Sequence, residues 1–319
     1  MNAFIFPGQG SQVVGMGAAL AAASPVARAV FQEVDDALGQ HLFRIMTEGP
    51  EDALLLTANA QPAIMANAIA TLRVLEQEGG VTLADKAAFV AGHSLGEYTA
   101  LCAAGALDLA TTARLLRIRG DAMQAAVPVG VGAMAALLGA DLAKAQALAA
   151  AAAASPDGDK ASADVCTVAN DNDPGQVVIS GHRSAIDRAM ALTKEHGIKR
   201  GVLLPVSAPF HCPLMQPAAD KMAEALAATA LSAPLVPLFA NVTAAAVADA
   251  DEIKTLLVQQ VTGSVRWRES VINMADAGVT RAIEFGGKVL APMVKRSAPD
   301  TATASLITMD DIEALLKDL

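Results

Sequence analysis

Apolar positions along the chain fall into two alternating patterns. Short unbroken runs bounded by turn residues predict buried strands, and stretches with apolar residues every three or four positions predict helices. Residues 3–6 are the first such run, and it breaks at Pro7-Gly8-Gln9-Gly10-Ser11-Gln12. Glycines there let backbone amides approach a ligand closely, so this loop is a candidate site wall. Residues 25–56 and 61–77 carry the helical period, and the second stretch opens on Gln61-Pro62, proline being favoured in a helix's first turn. Residues 87–91 predict a central strand, 92–96 a sharp turn and 97–104 a helix, with a further helix over 109–124.

From residue 132 the order changes. Strand (133–138), helix (142–154), two strands (165–169 and 176–180), helix (183–195) and strand (202–205) follow one another, which is the split βαβ order of a ferredoxin-like unit. The alanine tract 149–154 reads as helix and residues 155–162 as a mobile loop. Beyond Pro205 the chain is expected to rejoin its first unit, with strands at 235–240 and 281–285.

The composition changes this picture little. Of 319 residues, 53% are hydrophobic and 18% charged, which fits a folded chain able to bury a large core. A net charge of -10 argues against nucleic acid as a partner, since non-specific binding there rests on clustered Lys and Arg. Cys102, Cys166 and Cys212 are odd in number and widely spaced, as expected of reduced thiols in the cytoplasm rather than a disulfide framework or zinc site. No export signal is read at the N-terminus. The uncharged stretch 225–248 is broken by Pro234, Pro237 and Asn241, so helix, turn and strand are expected there in place of a membrane span.

The chemistry centres on Gly92-His93-Ser94-Leu95-Gly96. A serine hydroxyl attacks well only when a base takes its proton and the backbone holds it exposed, and a G-x-S-x-G turn between strand and helix supplies the exposure. The Leu95 amide, opening the next helix, is placed to bind an oxyanion. Five histidines could supply the base: His41, His93, His182, His196 and His211. His93 neighbours the serine, so its side chain diverges and a loop-orienting role is expected; His41, His182 and His196 sit in polar, helix-flanking surroundings. His211, in the proline-framed Pro209-Phe210-His211-Cys212-Pro213, is the expected base.

These segments occur in a familiar order. Phe6 to Gln12, Gln61-Pro62-Ala63, the elbow with Glu97-Tyr98, Arg119-Gly120 with Met123-Gln124, Pro209-Phe210-His211, and Gln260 with Val265-Arg266-Trp267 together resemble the malonyl-CoA:acyl carrier protein transacylases over nearly the whole chain. The resemblance implies Ser94 as acceptor of malonyl from coenzyme A and His211 as base and then acid. It implies a backbone carbonyl near Gln260 as the group orienting the histidine, and the amides of Gln9 and Leu95 as the oxyanion hole. Arg119 would clamp the malonyl carboxylate, a planar guanidinium suiting bidentate pairing. Arg114 and Arg117 are expected on the surface. Gln61 would line the substrate site, though its expected helix-start position offers a plain structural reading. Phe210, a bulky residue before the histidine, would disfavour branched acyl groups.

Two departures from the family pattern bear on the pocket rim: Ser264 replaces a common proline, and Glu284-Phe285-Gly286-Gly287-Lys288 is one residue short. The acidic carrier would need local positive charge, for which Lys194, Lys199, Arg200, Lys288, Lys295 and Arg296 are candidates.

The expected architecture is α/β. An α/β-hydrolase-like domain with a parallel central sheet, formed by residues 1–127 and 206–319, would hold an inserted ferredoxin-like domain at 128–205. The expected activity is malonyl transfer from coenzyme A to the phosphopantetheine thiol of acyl carrier protein in fatty-acid synthesis, by a monomer, in the cytoplasm, with no metal or other cofactor, membrane or nucleic acid. Malonyl transfer in a malonate decarboxylase or polyketide pathway would use the same chemistry. A serine thioesterase would share the elbow but admit water.

Overall fold

The computed structural model describes residues 1–154, 164–206 and 208–318. The expected loop at 155–162 lies outside the described residues. Two sheets organise the chain. In chain order the strands are β1 (Asn2–Phe6), β2 (Phe89–Gly92), β3 (Gly132–Leu138), β4 (Cys166–Asp173), β5 (Gln176–His182), β6 (Arg200–Leu203), β7 (Leu238–Ala240), β8 (Ala245–Val247), β9 (Arg281–Phe285) and β10 (Ala302–Leu306).

Six strands form one sheet in the order β10-β9-β1-β2-β7-β8. All its pairs are parallel except β7 with the edge strand β8. β1 explains the arrangement physically: Ala3, Phe4, Ile5 and Phe6 are all at most 1% exposed, because helices cover both faces of a central parallel strand. Alternate residues serve opposite faces. Phe4 and Phe6 meet the Phe285 ring at 4.8 and 5.6 Å, while Ala3 and Ile5 join a separate cluster around Trp267.

Four antiparallel strands form the second sheet in the order β4-β5-β3-β6, the ferredoxin-like order. The helices Leu142–Ala153 and Arg183–Leu192 pack their apolar faces, including Leu148 and Ile186, against it.

Several expected boundaries move. The stretch 25–56 is three helices, Pro25–Leu38, Leu42–Glu48 and Glu51–Leu55, because Gly39 caps the first in a left-handed conformation and Gly49 ends the second. The helix expected from Gln61 begins at Thr57 and runs to Gly79, so Pro62 lies in its interior and Gln61 is no helix-start residue. Burial on nearly every side sustains this helix despite the lost N–H. β8 and β10 were not expected from the apolar pattern, and β4 extends four residues beyond its expected end. The uncharged stretch 225–248 contains a helix end, a turn and two strands, and no helix among the described residues is long and apolar enough to cross a membrane.

That extension of β4 ties the two sheets together. The Asp171 amide donates to the Val265 carbonyl at 2.9 Å and the Val265 amide to Ala169 at 2.8 Å. Arg268, on the helix Trp267–Asp276, donates to both Asp171 carboxylate oxygens at 3.0 Å, and Arg296, on the helix Ala291–Ser297, donates to Asp173 at 2.8 Å. Both aspartates are buried, so each needs its partner. Arg268→Ala, which strands the Asp171 carboxylate, is expected to cost about 3 kcal/mol in urea unfolding, with Asp171→Asn/Arg268→Ala less costly than the single change.

Candidate active site

β2 ends at Gly92 against the helix Gly96–Ala103, and Ser94 lies in the turn between them with φ 54°, in the left-handed region where side chains other than glycine are strained. Two glycines make that turn possible. A Cβ on Gly92 would come within 1.9 Å of the Gly96 carbonyl carbon, and one on Gly96 within 2.3 Å of the Phe6 carbonyl oxygen. The helix therefore packs directly on the ends of β1 and β2. Ser94 is braced from beneath, its amide donating to Asn241 Oδ1 at 2.8 Å while Asn241 Nδ2 donates to the Gly92 carbonyl at 2.7 Å.

His211 faces the serine across 2.7 Å from Nε2 to Ser94 Oγ, and its Nδ1 lies 2.8 Å from the Gln260 carbonyl oxygen. A carbonyl only accepts, so Nδ1 carries the proton and Nε2 presents its lone pair to the serine hydroxyl. His211 is itself left-handed, at φ 59°. Burial, reinforced by the neighbouring Arg119 cation, pushes its pKa down to about 3, keeping the ring neutral with the Nε2 lone pair unprotonated.

Arg119, on the helix Leu109–Ala125, is 1% exposed. Its guanidinium donates to Gln61 Oε1 at 2.9 Å, to Gln260 Oε1 at 2.8 Å and to Ser94 Oγ at 3.1 Å. All three acceptors are neutral; the buried Glu97 carboxylate acts on the cation at longer range, with Gln260 between them, and makes no direct ion pair with it. Burial pushes its pKa down, an anion beside it being the natural compensation.

Gln9, Gln61, Ser94, Leu95, Arg119, Phe210 and His211 line one cavity of about 510 Å³ between the two sheets. Gln260 stands behind them, fully buried. Among the described residues neither the Leu95 nor the Gln9 amide is bonded to another protein group, leaving both free to serve an oxyanion.

The rest of the expected residues divide. Arg114 is exposed, whereas Arg117, expected on the surface, is half-buried and donates to Gln40 and Asn59. The cause is this pair of acceptors, Gln40 just after the helix Pro25–Leu38 and Asn59 on the helix Thr57–Gly79, which draw the guanidinium inward. His41 is exposed, and His182 is half-buried beside Asp164 at 3.1 Å. His93 turns away from the serine to Asn172 Oδ1 at 2.8 Å and lines the cavity. Ser264 is absent from the cavity wall and borders a separate surface groove with Arg266 and Glu269. The shortened 284–288 loop is shaped by Glu284, whose carboxylate accepts from the amides of Val289, Leu290 and Ala291. The three cysteines are free, Cys166 and Cys212 being buried.

Asn170, Asn172 and Asn241 were missed in the sequence. The cue for Asn241 was its place at the carboxyl end of β7, where parallel sheets gather their functional side chains. Asn170 and Asn172 fall in an expected loop and carried no such cue. Among the described residues no group of His, Cys, Asp or Glu is arranged to hold a metal.

The fold and site together define an acyl transferase domain, and the sequence matches that family over residues 3–287. It is 45% identical over 306 residues to the malonyl CoA-acyl carrier protein transacylase of Escherichia coli (strain K12), covering 96% of this chain and 95% of that protein. The crystal structure of an acyl-carrier-protein-S-malonyltransferase from Bartonella henselae superimposes with a TM-score of 0.94 at 51% identity, covering 99% of this chain and 98% of that one. A malonyl-transacylase solved in complex with a type II PKS acyl-carrier protein gives 0.93 at 38% identity, covering 100% and 99%. The chain belongs to the malonyl-CoA:acyl carrier protein transacylase family.

His211→Ala should slow acylation of Ser94 by about 10²–10⁴-fold, the usual range for losing a general base, without lowering the melting temperature. Quenched-flow mass spectrometry of the acyl-enzyme measures it.

Proposed function

We propose that this chain transfers a malonyl group from coenzyme A to the phosphopantetheine thiol of an acyl carrier protein through a serine ester on Ser94. The observation that carries this reading is the buried Arg119 cation, 3.1 Å from Ser94 Oγ and without a carboxylate partner among the described residues. A malonyl thioester brings both the carbonyl that the serine attacks and the carboxylate that the arginine lacks.

The chemistry follows from the geometry. His211 Nε2 takes the Ser94 proton as Oγ bonds to the thioester carbonyl carbon. The carbonyl oxygen, now anionic, is received by the Leu95 and Gln9 amides. Collapse breaks the carbon–sulfur bond, and the coenzyme A thiolate takes the proton from His211. The carrier's thiol then repeats these steps in reverse, leaving as the malonyl thioester and restoring Ser94. Gln61 holds Arg119 in place, and the Phe210 ring narrows the cavity against branched acyl groups.

In this reading residues 128–205 are an inserted domain, supported by a four-stranded sheet drawn wholly from 132–203. One chain supplies every group in the site, which supports action as a monomer, and free thiols fit a cytoplasmic setting. The exposed Lys194, Lys199, Arg200, Lys288 and Lys295 suit an acidic carrier, whereas Arg296 is engaged by Asp173.

Intact-mass spectrometry after mixing with malonyl-CoA and holo carrier should show a malonyl adduct first on the enzyme and then on the carrier, with neither in Ser94→Ala. Normal carrier loading by that variant would sink the mechanism, and rapid malonyl-CoA consumption without carrier would make the chain a thioesterase. Arg119→Ala should lower kcat/KM for malonyl-CoA by about 100-fold, as expected for losing a buried charge-assisted pair, and for acetyl-CoA far less. Equal losses would remove the clamp.

A further inference from the structure

Glu97 is fully buried one turn beyond the nucleophile, yet its carboxylate touches none of Ser94, His211 or Arg119. Its Oε2 accepts the Asn241 amide at 3.0 Å and Gln260 Nε2 at 2.8 Å, while its Oε1 has no partner among the described residues. A buried carboxyl held by so few donors is costly, and burial pushes its pKa up to about 7. Packing alone would be better served by an apolar side chain of the same size.

Of the two bonds to Oε2, the one from Gln260 bears on how that side-chain amide is turned, as the shortest of the three acceptors its Nε2 meets, ahead of the Ser94 carbonyl at 3.0 Å and Asn241 Oδ1 at 3.3 Å. Gln260 carries a donor end and an acceptor end that could exchange by rotation. With Nε2 committed to Glu97 and, at 3.0 Å, to the Ser94 carbonyl, Oε1 faces Arg119 at 2.8 Å. Reversed, the amide would aim N–H groups at the guanidinium and drive it away. The same residue's backbone carbonyl orients His211. Asn241, whose amide Glu97 also receives, braces the Ser94 amide.

We propose that Glu97 is a positioning residue for acyl transfer, whose Oε2 fixes the Gln260 amide so that Arg119 is held ready for the carboxylate of the acyl group. The inference rests on the malonyl-transfer reading above. Only Oε2 is used, so the arrangement survives protonation at Oε1, and a glutamine at this position supplies the same acceptor. An isosteric apolar residue supplies none.

Single-turnover acylation of Ser94 by malonyl-CoA and by acetyl-CoA, followed by intact mass, tests this in Glu97→Leu and Glu97→Gln. Glu97→Leu is expected to lose about 100-fold in malonyl acylation, the usual cost of misplacing a reacting group, and markedly less in acetyl acylation. Glu97→Gln is expected to recover most of that loss. Equal losses for the two acyl groups, a folded Glu97→Leu at the wild-type rate, or a Glu97→Gln as slow as Glu97→Leu would each overturn the proposal.

Should Glu97→Leu fail to fold, Glu97→Asp keeps the charge but withdraws the oxygen by one methylene. It is expected to show the same malonyl-selective loss, at about 10-fold, and wild-type behaviour there would overturn the proposal. Absence of a malonyl adduct on the wild-type enzyme would overturn the malonyl-transfer reading itself, an outcome distinct from all of these.

Discussion

Ser94, Arg119 and His211 come from three separate segments, the last more than 90 positions beyond the others, and Gln260 touches the setting of each. Its side chain donates to the Ser94 carbonyl and accepts from Arg119, and its backbone carbonyl holds the His211 ring. A backbone carbonyl does here what a carboxylate does in many serine hydrolases. It fixes the tautomer without adding a negative charge beside the histidine. That matters because the site's charge is already assigned: a buried guanidinium adjoins the serine, and the imidazole is kept neutral by burial and by that cation.

On the proposed function, the cation is also what separates a transferase from a general hydrolase in physical terms. Burying Arg119 against neutral acceptors stores an unfavourable desolvation that a carboxylate ligand relieves. On that proposal, binding energy from the remote carboxylate would be available for placing the reacting carbonyl against Oγ. Ser94 and His211 both occupy left-handed backbone conformations, so the fold holds these two facing side chains under local strain.

The small sheet does more than cap the cavity. Along the end of β4, Asn170 and Asn172 face the cavity, while Asp171 and Asp173 hold Arg268 and Arg296 on helices of the large sheet. The two-residue period of a strand therefore divides one segment between lining the site and fastening the walls that enclose it. The His93 ring joins the same seam through Asn172, so the elbow and the small sheet are in direct contact.

The sequence by itself determined the elements with strong local signals. Apolar runs marked β1, β2 and β9, the helical period marked most helices, and the strand–helix order of 132–205 marked the ferredoxin-like sheet. Glycine spacing marked Ser94 as an elbow, since no other residue tolerates backbone carbon within 2 Å of where a Cβ would sit. The helix breaks at Gly39 and Gly49 coincide with local glycine signals that the apolar period runs across, whereas the interior position of Pro62 was not legible, because burial outweighs local propensity there. Only the tertiary structure decided what the polar residues do. Arg119 and Arg117 lie two residues apart on one helix, yet one is sealed against the serine and the other bonds to Gln40 and Asn59 near the surface. Nothing local separates Glu97 from an ordinary helix-start glutamate, or Asn241 from a turn residue. Their hydrogen bonds run to partners more than 100 positions away, and long-range contacts of that kind leave no periodic trace in a chain.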